Sequence, residues 1–84
     1  MRVVNLRKYP YTVYIGRGSK FGNPFLIGKD GTREDVIKKF EVYARKQLVN
    51  GIAFLPKDAV LGCYCKPKPC HGDVIVKIWK ELYK

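Results

Sequence analysis

Eighty-four residues, 46% hydrophobic and 13% aromatic, make one folded domain spanning residues 1–84 and leave no room for a second core. Seventeen basic against seven acidic side chains leave a net charge of +10, which points to a phosphate-rich partner, a nucleotide or nucleic acid. The scarcity of amides and the richness in lysine also fit a heat-adapted source, where basic residues serve as a solvated surface.

No apolar run approaches the roughly 20 residues that cross a bilayer, and no signal-type hydrophobic region follows Met1-Arg2. The expectation is a cytoplasmic protein without a membrane partner, in the host cytoplasm if the source is viral. All three cysteines fall between positions 63 and 70. A secreted disulfide scaffold would spread an even set along the chain, so the cluster points to metal, a reactive thiol or local redox chemistry.

Residues 2–6 and 11–15 are short, β-branched and aromatic, and predict two strands joined by a tight connection at Arg7–Pro10. Residues 16–31 predict a long loop, punctuated by Gly16, Gly18, Gly22, Asn23-Pro24, Gly28 and Asp30-Gly31. The apolar trio Phe25-Leu26-Ile27 should pin that loop to the core. A helix follows, with Thr32 as N-cap and Asp35 completing a capping box. Val36, Ile37, Phe40, Tyr43, Ala44 and Leu48 repeat at helical spacing, and Asn50-Gly51 ends the element.

Residues 58–65 predict a third strand, stopped by Pro67 and Pro69. A second helix begins between Cys70 and Asp73, with an apolar stripe of Val74, Ile75, Ile78, Trp79, Leu82 and Tyr83. The order β-β-α-β-α predicts an α/β fold. We expect a three-stranded mixed sheet with a parallel β-α-β unit, covered by two helices. Ligands of such sheets sit outside the carboxyl ends of the strands, here Ile15-Gly16-Arg17 and Cys63-Tyr64-Cys65.

The segment Cys-Tyr-Cys-Lys-Pro-Lys-Pro-Cys-His-Gly-Asp (63–73) concentrates the chemistry. A helix start offers free amides and the positive end of the dipole, which would lower the pKa of Cys70 and favour it as a nucleophile. His71 could move protons near neutral pH, Asp73 could orient a base or a hydroxyl, and Gly72 would let a ligand approach the backbone. The plainer reading of the same residues is a capping Asp73 above a packed Cys70. A Cys-x5-Arg phosphatase loop is excluded, because position 76 is Val76.

Cys63, Cys65, Cys70 and His71 also form a Cys3His set for zinc, although their spacing is tight for one ion. A Cys63–Cys65 disulfide would be strained along an extended strand. Arg17, Lys20 and Phe21, with Lys66 and Lys68, could track phosphates while Tyr14, Phe21 or Tyr64 stacks a base. Arg17 and Arg33 are the stronger candidates, because a guanidinium grips phosphate with two parallel bonds.

Val-Val-Asn-Leu-Arg (3–7), Tyr-Ile-Gly-Arg (14–17), Gly-Asn-Pro-Phe (22–25), Gly-Thr-Arg-Glu (31–34) and the 61–73 block resemble the DUF4326 family of small proteins from bacteria, archaea and their viruses. Tyr64 stands where that family often has Trp. The resemblance implies one shared site containing Asn5, Arg17, Asn23, Arg33 and residues 63–73, and it implies no activity. Taken together, the expectation is a phosphate-bearing ligand at the Cys-His-Gly-Asp helix start. Asn5, Arg17, Asn23, Arg33, Cys63, Cys65 and Gly72 would bind it, and Cys70, His71 and Asp73 would supply any chemistry. The alternatives are a zinc-stabilised nucleic-acid-binding module and a viral protein-interaction module.

Overall fold

The last strand in the sequence is the middle strand of the sheet. A computed structural model describes residues 1–83, with strands β1 (Arg2–Asn5), β2 (Val13–Tyr14) and β3 (Val60–Cys63), and helices α1 (Arg33–Gln47), α2 (Val49–Ala53) and α3 (His71–Leu82). The sheet order is β1-β3-β2, and β3 runs parallel to both neighbours. The α/β class and the parallel unit that returns through helix hold. The mixed sheet and the count of two helices do not.

The reason lies at Gly62. Along β3, Leu61 and Cys63 belong to the core, so Gly62 between them faces the opposite side of the sheet. A Cβ there would come within 2.6 Å of Tyr11. The bare backbone thus lets residues 6–12 cross the middle strand and enter β2 on its far side, where Thr12 N–H donates to the Val60 carbonyl at 2.9 Å. Arg7–Pro10 is therefore part of a crossover and not a hairpin, and all strands run the same way. Parallel strands that follow one another in sequence usually need a longer connection; passing over β3 at a glycine shortens this one.

α1 starts as its sequence predicts. Thr32 Oγ1 accepts from Asp35 N–H at 3.2 Å, and the Asp35 carboxylate accepts from Thr32 N–H at 3.0 Å. These bonds hold the Asp35 pKa below its ordinary value. Val36, Phe40 and Ala44 are buried. Asn50-Gly51 does not stop the chain, which continues as the single turn α2 and buries Ile52. α3 lays Val74, Ile75 and Ile78 on the core, and its end is tied down by Trp79 Nε1 donating to the Leu55 carbonyl at 3.0 Å and by the Tyr83 hydroxyl on the Ala53 carbonyl. Among the described residues no helix is long and apolar enough to cross a membrane.

Candidate functional site

At the carboxyl ends of β2 and β3 the loop after β2, the start of α1 and the start of α3 enclose a cleft of about 320 Å³. Its volume lies at the small end of the usual range for small-molecule sites. Tyr14, Phe25, Ile27, Val36, Ile37 and Tyr64 supply apolar and aromatic wall, Arg17 and Arg33 supply positive charge, and Cys63, Cys65, Cys70 and His71 complete the lining. None of the seven Asp and Glu side chains lines it.

The floor is the start of α3. Cys70 is its N-cap: the thiol accepts from Gly72 N–H at 3.4 Å, and the Asp73 carboxylate accepts from Cys70 N–H at 3.2 Å. The capping box therefore engages two amides that the sequence offered to an anion. Cys70 Sγ lies 3.0 Å from Cys63 Sγ, both thiols are free, and each residue is only 1% exposed. Burial pushes the Cys70 pKa up, and the neighbouring Cys63 adds to the shift. The direction is opposite to the lowering expected at a helix start, because loss of solvation outweighs the bond from Gly72 N–H.

His71 is pinned from below. Its Nε2 lies 2.7 Å from the Ile15 carbonyl, which can only accept, so Nε2 carries the proton and Nδ1 has the lone pair. Nδ1 faces Cys70 Sγ at 3.6 Å, and Phe40 packs edge-on against the ring at 5.0 Å. Burial lowers the His71 pKa, opposed in part by the Ile15 and Phe21 carbonyls, so the imidazole is held neutral.

Among the described residues no group of three or more His, Cys, Asp and Glu side chains is arranged to hold a metal ion. Two thiolates on one zinc would stand about 3.8 Å apart, given the usual Zn–S length and a tetrahedron, wider than the Cys63–Cys70 contact. As placed, Cys63 and Cys70 stand closer than one shared ion would hold them.

Arg17, Asn23, Arg33, Cys63, Cys65, Cys70 and His71 all line the cleft. Arg33 is the first residue of α1, and its Nη1 donates to the Pro69 carbonyl at 3.2 Å, joining the two helix starts across the cleft. Asn23 uses its side chain on the wall itself, accepting from Phe25 N–H at 3.0 Å and donating to the Val36 carbonyl at 3.3 Å.

Three predicted residues lie elsewhere. Asn5 stands outside the cleft, accepting from Arg7 N–H at 2.9 Å and donating to the Lys66 carbonyl at 2.8 Å. Gly72 lies under the sheet, where a Cβ would sit 2.7 Å from Ile15 and 2.8 Å from Val3. Close packing, not ligand approach, requires that glycine. Asp73 is exposed, caps Cys70 and pairs with Lys66 Nζ at 2.6 Å. Of the phosphate-tracking candidates, Lys20 folds back over Phe21 at 5.9 Å. In sequence the walls Phe25, Ile27, Val36 and Ile37 look like core or loop anchor; an apolar trio inside a Gly/Pro-rich loop is the available signal.

A family model described as "Domain of unknown function (DUF4326)" matches residues 2–81. A protein of Enterobacteria phage T4, described as "Uncharacterized 12.4 kDa protein in nrdA-td intergenic region", is 43% identical over 89 aligned positions, covering 99% of this chain and 81% of its own length. No solved structure matches significantly.

Proposed function

The chain belongs to the DUF4326 family, and on that footing we propose that it binds a small phosphate-bearing ligand of the nucleotide class in the cleft before α3. One observation carries the reading: two arginines and a set of aromatic walls share a cleft that, among the described residues, no Asp or Glu side chain lines. Arg17 and Arg33 would hold the phosphate, since each guanidinium keeps donors to spare beyond the one Arg33 spends on Pro69. Tyr64 and Phe25, both in the lining, would take the base by stacking.

The reading is of binding first. A buried thiol with a raised pKa is a poor nucleophile, so the floor group best suited to accept a proton is His71 Nδ1.

Calorimetric titration with adenosine and thymidine monophosphates tests it. Binding at micromolar to millimolar concentration is expected. Arg17→Ala and Arg33→Ala should each weaken it about 10- to 100-fold, the worth of a hydrogen bond to a charged group. No heat and no competition at millimolar nucleotide overturns the proposal. So does one equivalent of zinc in the purified protein with all three thiols masked, which would return the cysteines and His71 to the structural zinc module.

A further inference from the structure

Around Tyr64 the carboxyl edge of the sheet carries a second set of cations that the cleft does not use. Leu6 N–H donates to the Cys63 carbonyl at 3.0 Å, which lays the turn after β1 beside the end of β3. The Asn5 bond to the Lys66 carbonyl then ties that turn to residues 66–68. The Arg7 guanidinium sits 5.0 Å from the centre of the Tyr64 ring, and Lys8 and Lys68 are exposed on the two turns so joined, their amides donating to the Asn5 and Cys65 carbonyls. The one carboxylate here, Asp73, is engaged by Lys66 and by the Cys70 amide. Tyr64 is 54% exposed and also lines the cleft. It therefore belongs to both the cleft and this cationic strip.

Resting on the nucleotide reading, we propose that the ligand is the terminal nucleotide of a single-stranded nucleic acid, with the following phosphates running over Lys8 and Lys68. A free nucleotide has no use for cations beyond the cleft rim; a strand does, because each further phosphate meets a new positive charge. An exposed ring beside a guanidinium at the rim of a cleft is a stacking platform for unpaired bases. A duplex would present its bases already stacked and closed to Tyr64.

Titration of the whole protein with thymidine monophosphate, a thymidine hexanucleotide and a duplex of the same length decides it. The hexanucleotide should bind at least about tenfold tighter than the mononucleotide at 50 mM salt, an advantage that shrinks towards 200 mM. Lys8→Ala/Lys68→Ala should remove that advantage, cut the salt slope by about 1.4 for two lost contacts on a single strand, and leave mononucleotide binding unchanged. A hexanucleotide that binds no tighter than the mononucleotide overturns the inference while the cleft reading stands. A duplex that binds as tightly as the strand overturns it too. Failure of the mononucleotide and the strand alike overturns both.

Discussion

The two long helices begin with the same device in opposite surroundings. α1 opens on Thr32 and Asp35 at the surface, and α3 opens on Cys70 and Asp73 with the cap residue buried. At α1 the box is a local start signal. At α3 the same box fixes the floor of a cleft, because the capping atom is a sulfur packed against Cys63 and the first helical residue is a buried histidine. A cap in water stabilises its helix; a cap in the core also places the side chains around it.

Thiol chemistry should expose that difference most strongly. Cys65 is half-buried, whereas Cys63 and Cys70 are sealed. Native protein treated with iodoacetamide at pH 8 should label Cys65 on the order of a hundredfold faster than Cys70, as read by peptide mass spectrometry. Equal rates would mean that the α3 start opens freely.

Next in size is the response to substitution. Gly72→Ala drives a methyl group into Ile15 and Val3 and should lower unfolding free energy by about 1–3 kcal/mol in urea titration. Thr32→Ala at the exposed start should cost about 1 kcal/mol. A smaller effect at Gly72 than at Thr32 would break the comparison.

The smallest effect expected is on pH. The chain has one histidine, and burial holds its folded pKa below its ordinary value of 6.5. The unfolded chain therefore takes up a proton before the folded one does. Stability is full above about pH 6.5 and falls as pH drops from there towards the folded pKa. His71→Gln keeps a donor for the Ile15 carbonyl and should flatten the slope of the urea midpoint between pH 7 and 5.5. An unchanged slope in that variant would place its source elsewhere.

Both helix starts were legible in sequence because a cap is a local arrangement: donor and acceptor lie within three residues. The cleft was legible by address, since Arg17, Arg33, Cys63 and His71 sit where strands end and helices begin. What escaped depends on distant contacts. Asn5 has the chemistry of a ligand, yet its amide is spent on backbone, including a carbonyl 61 residues away in sequence. The helix start at Cys70 is visible in sequence, while the burial that raises its pKa exists only once the core, Cys63 included, has folded around it. Gly62 looked like any small strand residue, and only the passage of Tyr11 over it explains the all-parallel sheet.

That passage bears on how the chain acquires its shape. β1 and β2 both pair with β3, and neither pairs with the other, so the first 59 residues contain two sheet edges and no sheet. Their partner arrives only with Val60–Cys63. Pairing must then close loops of more than 45 residues on both sides of one short strand, a slow kind of ordering set by topology and not by local preference. Helix α1 can form early from its own signals. Everything that defines the cleft waits for the middle strand, and a chain cut before residue 60 would keep its first helix signals and lose its sheet.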